Sequence, residues 1–351
     1  MSVPAAAAVV PRRTMWRRPR GLAVACGLLV IAGALGVTLG PVSLPLRGTV
    51  LEFIDRLPWI EVESGFDARQ SAVLWQIRVP RIVLAGLVGG TLSIAGGAYQ
   101  GVFRNPLADP YLLGVAAGAG LGATLAIITG FGGLVLPVAA FAGGLGAVLM
   151  TYALGRAGGP ARSTGSLILA GVAVASFFTA LQTFAQQRAT DTIREVFAWI
   201  LGRLTTVGWD EVVVLLPFTV VAVGVILAHR RHLDVLAVGE SEASTLGMNT
   251  GRVRLAVVVA ATLGTAAAVS VSGLIGFVGI IVPHTVRLLT GWSYRVVLPL
   301  SFVGGAAFLV LADVVARTVI APSELPIGII TAFFGAPFFV LVLRRSMGRI
   351  T

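Results

Sequence analysis

Apolar residues run along this chain in long blocks rather than at the two- or four-residue spacing of half-buried soluble elements. A bilayer core is crossed by about 20 apolar residues in a helix. Blocks near that length fall at roughly 22–40, 80–100, 112–130, 134–155, 165–186, 210–229, 255–272, 274–290, 296–316 and 326–343. They predict an all-α integral membrane protein with about ten transmembrane helices. The third and eighth blocks are rich in glycine, or flanked by proline and glycine, and are expected to be broken. Two segments are not membrane-like. Residues 41–77 hold Glu52, Asp55, Glu61, Glu63 and Asp67 among prolines, and read as an external loop with short surface helices. Residues 192–204 are apolar at helical spacing but too short to span, as in an amphipathic helix lying at the interface.

Composition agrees. Hydrophobic residues make up 56% and charged residues 12% of the 351, where an ordinary soluble domain carries about 25% charged. Such a chain cannot cover a water-facing surface, so its solvent is lipid. The 44 glycines suit helices that approach closely or are interrupted. Every one of the 26 basic residues is arginine. Without lysine there is no Gly-Lys-Ser/Thr phosphate loop, so if ATP drives this protein another chain binds it.

The net charge of +11 is spread between apolar blocks, which points to membrane orientation rather than nucleic acid. With the N-terminus inside, inner segments hold 17 arginines and four acids, and outer segments nine arginines and eleven acids. The balance of +13 against −2 follows the positive-inside rule and predicts that both termini are cytoplasmic. The opening RRTMWRRPR before an apolar stretch mimics a signal peptide. The apolar run is long enough to span and shows no A-x-A site, so it reads as a retained first helix. Residues 1–20 are then a cytoplasmic basic arm, and 21–351 one polytopic domain. Cys26 stands alone, which excludes an intrachain disulfide. Almost no hydrophobic region precedes it, as a lipoprotein anchor would require. Arg81–Gly97 faintly echoes Arg252–Ala268 five blocks later and in the opposite orientation, so an inverted repeat of helices 2–5 and 7–10 is expected.

Four stretches are too particular for membrane filler: Gln76–Arg81 (QIRVPR), Gln100–Gly114 (QGVFRNPLADPYLLG), Gly273–Arg287 (GLIGFVGIIVPHTVR) and Leu311–Gly335 (LADVVARTVIAPSELPIGIITAFFG). In this order and spacing the chain resembles, from about residue 70 to 345, the FecCD/BtuC-like permeases of bacterial importers for iron–siderophores, haem and vitamin B12. The resemblance implies a type II ABC importer permease fold in the bacterial inner membrane, with two permease subunits flanking a translocation path. It also implies two cytoplasmic ATPase subunits, which hold the ATP and Mg, and an extracytoplasmic substrate-binding protein. No cofactor is expected in this chain and no nucleic acid among its partners. Iron–siderophore is the first expectation for the cargo, on the breadth of that group alone.

Site residues follow partly from chemistry and partly from the resemblance. Arg78 and Arg81 lie three apart at the outer start of the second span, and Arg317 at the outer end of the ninth. A ring of guanidinium forks suits the carboxylates of a docking protein, and the resemblance assigns arginines at these positions to that docking. The competing readings are arginines reaching toward headgroups and, for Arg317, pairing with Asp313. Residues 232–254 are polar and divided by Gly239 and Gly247, as for two short helices around a glycine. The resemblance makes this the element that rides in the ATPase, with Gly239, Glu240, Ala243, Leu246 and Gly247 as its contacts; an ordinary solvated loop is the alternative. By the same resemblance Asn105 and Leu107, in a turn that Pro106 keeps from being helical, join Ser163 and Thr164 in a cytoplasmic gate. Thr164 could equally be an N-cap.

No cluster of His, Cys, Asp and Glu has metal-ligand spacing, and His284 is expected to hydrogen-bond within the inner end of span eight. An ion-coupled secondary transporter would need ionisable groups near the midplane, where the spans offer only Gln182, Gln186 and hydroxyls. A membrane enzyme would need a paired-acid, metal-ligand or nucleophile–base constellation, and none is present in the spans.

Overall fold

The computed structural model describes residues 18–42, 44–157, 164–204 and 208–347. The basic arm before residue 18 therefore lies outside the described residues. In chain order the helices are α1 (Arg18–Thr38), α2 (Leu46–Asp55), α3 (Ala68–Ala72), α4 (Val79–Val102), α5 (Val115–Ile128), α6 (Val135–Ala157), α7 (Thr164–Gln187), α8 (Ile193–Ile200), α9 (Asp210–Ala228), α10 (Arg230–Val238), α11 (Glu240–Thr245), α12 (Thr250–Ser272), α13 (Val278–Thr290), α14 (Tyr294–Thr318) and α15 (Ile327–Met347).

Seven of them are long and apolar enough to cross a bilayer, namely α1, α4 with its N-terminal extension, α6, α7, α9, α12 and α14. Three shorter apolar helices, α5, α13 and α15, complete the ten expected. The third and eighth are the shortest, as anticipated: α5 starts after Gly114 (φ 85°) and α13 after Phe277 (φ 68°). A left-handed residue turns the chain sharply into each helix, so regular structure begins only partway along each apolar block.

The packing has the expected inverted symmetry. Exchanging spans 2–5 for 7–10 maps α4–α14 onto α12–α6, α4–α13 onto α12–α5, α5–α6 onto α13–α14, and α5–α7 onto α13–α15; all of these pairs pack. α4 and α12 meet at the centre and are the most buried spans, whereas α1 and α7 lie at the periphery. Glycines set the closest crossings. A Cβ on Gly89 would lie 2.3 Å from the Gly305 carbonyl oxygen, and one on Gly305 2.4 Å from that of Gly89. The backbones of α4 and α14 therefore touch where any side chain would hold them apart.

One expectation is corrected and another is refined. The segment 68–77 is not loop: α3, a π-helical turn at Val73–Arg78 and α4 run as one helix over Ala68–Val102. Asp67 starts it with a capping box, accepting from the Gln70 N–H at 2.6 Å while the Gln70 side chain returns a bond at 3.1 Å. α8 is amphipathic as expected, with Ile193 and Phe197 exposed, and it is also docked onto the bundle. It buries Val196 and Trp199, and its C-terminal carbonyls at Leu201 and Gly202 accept from the N–H groups of Gly328 and Ile327 at the start of α15. Those carbonyls are orphaned by helix geometry, and a neighbouring helix start satisfies them.

The surface segment is held by Glu52 on α2, whose carboxylate accepts from Ser64 Oγ (2.5 Å), Ser71 Oγ (2.7 Å) and Trp75 Nε1 (3.2 Å). These bonds, the Ser64 hydroxyl first, hold its pKa below the ordinary glutamate value. A depressed folded-state pKa stabilises above the unfolded value and is lost as pH falls through the folded one. Hydrogen exchange over residues 46–75, corrected for intrinsic rate, is therefore expected to quicken only below about pH 4. Glu52→Gln should abolish that acid step.

Candidate functional site

The first constellation gathers at the α1 C-terminus, the end expected to face outward. Arg81 forks onto two carboxylates, with Nη2 2.8 Å from Asp313 Oδ1 and both terminal nitrogens on Glu324 at 2.8–2.9 Å. Arg317 Nε lies 3.0 Å from Asp313 Oδ2, one turn away on α14, and its Nη2 donates to the Gly36 carbonyl at 3.0 Å. Arg78 donates to the carbonyls of Val37 and Val42. Gly36 and Val37 belong to the last turn of α1, whose carbonyls lack intrahelical partners and carry the negative end of the helix dipole. Three guanidinium groups are thus balanced by two carboxylates and a helix C-terminus.

This changes their reading. All three arginines are buried, at 3%, 7% and 3% exposure for Arg78, Arg81 and Arg317. The expected ring of free forks at an outer mouth is not what the structure holds: Asp313, Glu324 and α1 backbone already occupy them. Of the competing readings, the pairing of Arg317 with Asp313 is the one observed. Periodicity placed Arg78 and Arg81 on a helix start but could not show that α1, some forty residues earlier, would bring its C-terminal carbonyls to Arg78.

The second constellation lies at the other end of α4. Asn105 Oδ1 accepts from the Leu107 N–H at 2.9 Å, an Asx turn that lets the chain pass Pro106 outside a helix. Gln100 Nε2 donates to the carbonyls of Ala108 (3.3 Å) and Gly279 (3.1 Å), and its Oε1 accepts from Arg287. Tyr111 Oη donates to the Ile275 carbonyl at 2.9 Å and accepts from the Ile275 N–H at 3.1 Å. The connector holding Asn105 and Leu107 is therefore tied through Gln100 to the start of α13 and through Tyr111 to Ile275, in the matching connector of the other repeat. Of the other two residues expected in the gate, Ser163 lies outside the described residues and Thr164 begins α7.

Arg287 is buried against Trp292 and Tyr294, and its Nη2 has no hydrogen-bond partner among the described residues. His284, one turn earlier, does not make the expected bond either. Its Nδ1 is buried without a partner and its ring meets Phe338 edge-on at 5.8 Å. No group of three or more His, Cys, Asp or Glu able to hold a metal occurs among the described residues. His284→Gln is therefore expected to leave uptake near wild type; complete loss of uptake would point to a ligand role.

The third constellation is the short helix pair α10–α11 around Gly239, matching the two helices expected in residues 232–254. It is fixed at three points. Asp234 on α10 accepts from the Tyr294 N–H (2.6 Å) and Ser293 Oγ (3.0 Å), capping α14 from outside. Glu240 pairs with Arg254 on α12 at 2.9 Å. Ala243 is fully buried, so it seats the knob rather than presenting a surface. Beyond it Gly247 (φ 79°) turns the chain, and Asn249 caps α12 by accepting from the Arg252 N–H at 3.0 Å. What the knob does present is Leu246, 75% exposed, and Val238, 71% exposed. Val238 was not singled out by the sequence; its signal was a valine directly before the glycine between two polar helices.

Comparison with known proteins bears on all three constellations. The model of the FecCD transport family matches residues 28–345. A Bacillus subtilis protein called an uncharacterized ABC transporter permease, YvrB, is 39% identical over 91% of this chain and 91% of its own length. The cobalamin import system permease BtuC of Halobacterium salinarum is 39% identical, with 95% of this chain and 96% of that protein covered. A solved inward-facing structure of a metal-chelate type ABC transporter superposes with a TM-score of 0.82 at 31% identity, covering 93% of this chain and 99% of that one.

Proposed function

Because this chain belongs to the FecCD transport family and is the permease subunit of an ABC importer, we propose that it moves a large metal chelate across the inner membrane, cobalamin ahead of iron–siderophore or haem. It pairs with a second permease subunit, and two ATPase subunits engage α10–α11 on the cytoplasmic face, where both termini lie. A substrate-binding protein delivers the cargo from the other side. The observation that carries this reading is the exposure of Val238 and Leu246 on an otherwise polar knob tied to both α12 and α14. Large apolar side chains presented to water by a rigid element mark a protein interface, and a knob fixed to two central spans can pass its motion to them.

Asn105 and Leu107 are proposed as gate residues because their connector is bonded, through Tyr111, to the segment that leads into α13 across the repeat. Cobalamin is placed first because the Halobacterium relative is named for it. An ion-coupled secondary transporter is less suited: no carboxylate lies in the middle of a described span, and Asp313, the nearest, is committed to two arginines. Binding by the extracytoplasmic protein is assigned to the outer face around the buried arginine cluster, with Glu324 its most accessible member.

The substrate is tested in proteoliposomes holding the full complex, offered labelled cobalamin, a ferric siderophore and haem in turn. ATP-dependent accumulation of cobalamin alone supports the proposal. Accumulation of a ferric siderophore or haem with none of cobalamin would overturn the substrate while leaving the importer intact.

A further inference from the structure

One groove on the molecule is walled almost entirely by apolar groups and yet has an unanswered hydroxyl in its lining. It lies between α1 and α4 beneath α2, has a volume of about 340 Å³, and is lined along α1 by Val30, Gly33, Ala34 and Val37. Val79, Ile82 and Val83 of α4 form the second wall, and Thr49, Val50 and Phe53 of α2 the roof. From Val30 to Thr38 the α1 wall runs about 12 Å at the helical rise per residue. Both walls are spanning helices, so the opening faces hydrocarbon rather than water.

At the roofed end Thr49 is 4% exposed and its Oγ1 has no hydrogen-bond partner among the described residues. A buried hydroxyl without a partner is costly and rare. An acceptor from outside the chain would answer it, at the depth where α1 ends and the headgroup layer begins. The roof carries the marks of that layer. Leu46, Val50, Phe53 and Leu57 are exposed at helical spacing along and just past α2, and Trp59, fully exposed, follows. An apolar helix ridge with a tryptophan beside it suits the membrane–water boundary. Arg47, next to the ridge, makes no ion pair among the described residues and is placed for a phosphate.

We propose that this groove is a binding site for a glycerophospholipid of the leaflet on the Glu52 side, the outer one by the arginine count. One acyl chain lies between α1 and α4 under Val50 and Phe53, and Thr49 Oγ1 donates to an ester carbonyl of the glycerol backbone. The lipid completes the packing between α1, α2 and α4 that the protein leaves open. Nothing in the proposal depends on what the transporter carries.

The structure supplies clean variants. Gly33 lines the groove and a Cβ there would meet nothing within 4 Å, so Gly33→Phe is chosen to occupy the groove. Gly27, on the same helix but outside the groove, is equally unobstructed and gives the control Gly27→Phe. Thr49→Val removes the hydroxyl and keeps the shape. Native mass spectrometry of the full chain from mild detergent should show a retained phospholipid in wild type and Gly27→Phe, lost in Gly33→Phe and reduced several-fold in Thr49→Val. A photoreactive side chain at position 50 should capture lipid. Equal retention in all four proteins would overturn the site, as would capture at position 50 of a partner subunit or a second copy in place of lipid.

Discussion

Asp313→Ala is expected to lower the thermal unfolding midpoint of the purified chain steeply and to reduce its yield from the membrane. Asp313 is 1% exposed and serves both Arg81 (2.8 Å) and Arg317 (3.0 Å). Removing the shared carboxylate leaves two buried guanidinium groups with too little negative charge, and breaking such a pair typically costs about 3–5 kcal/mol. Glu324→Gln should be far milder, about 1 kcal/mol or less, because its side chain is partly in solvent and Arg81 keeps Asp313. The mechanism has a signature beyond the loss itself. Asp313→Ala combined with Arg317→Met should lose less than the two changes added together, since the second removes the charge that the first orphaned. Strict additivity would mean that the cluster is not a coupled unit. Arg78 is predicted to act differently, through the carbonyls that end α1. Its loss should fray the α1 C-terminus without disturbing α14.

Leu246→Glu is expected to abolish co-purification of the ATPase subunits and to cut ATP-driven uptake at least about tenfold, while the chain itself unfolds at the wild-type temperature. A hot-spot side chain at the centre of an interface costs about 2 kcal/mol or more when truncated, and a buried glutamate in place of leucine adds a desolvation penalty. Val238→Asp should behave alike. The neighbouring positions separate surface from scaffold. Ala243→Leu overfills a fully buried site, so it should destabilise the knob itself and lower the unfolding midpoint. Gly239 is extended (φ 164°), and an added methyl would meet only the movable carboxylate of Glu242, so Gly239→Ala should be tolerated. Gly247 is left-handed, and Gly247→Val should strain the turn that aims Leu246. A Leu246→Glu protein that still binds its ATPase would remove the knob from the coupling pathway.

How much of this was legible beforehand depended on whether the cause was local. The ten apolar blocks became helices because lipid demands that each span satisfy its own backbone, a requirement visible in composition. The left-handed starts of α5 and α13 were foreshadowed by glycine around both blocks, and α10–Gly239–α11 by a polar stretch split at a glycine. What stayed hidden was set by distant partners. Arg78 finds carbonyls on α1, Arg81 finds Glu324 on the far side of α14, and Asp234 caps a helix sixty residues later. None of these leaves a periodic trace. The π-turn at Val73–Arg78 was also invisible, because the prolines and acids before it read as loop, and the Asp67 capping box that starts the helix lay among them. His284 failed for a related reason: a histidine in a span suggests a hydrogen bond, and only the packing of Phe338 showed a ring contact in its place.

The central claim is that this chain is a passage driven from outside itself. It is tested most directly by purifying the chain together with the products of its neighbouring genes, reconstituting them in proteoliposomes, and measuring ATP hydrolysis with and without the binding protein. The account predicts an ATPase pair bound to α10–α11 whose hydrolysis rises when the loaded binding protein is added, with uptake that stops when ATP is withheld. Uptake by the chain alone under an ion gradient, with no ATPase bound, would contradict it and return attention to Gln182 and Gln186 on α7.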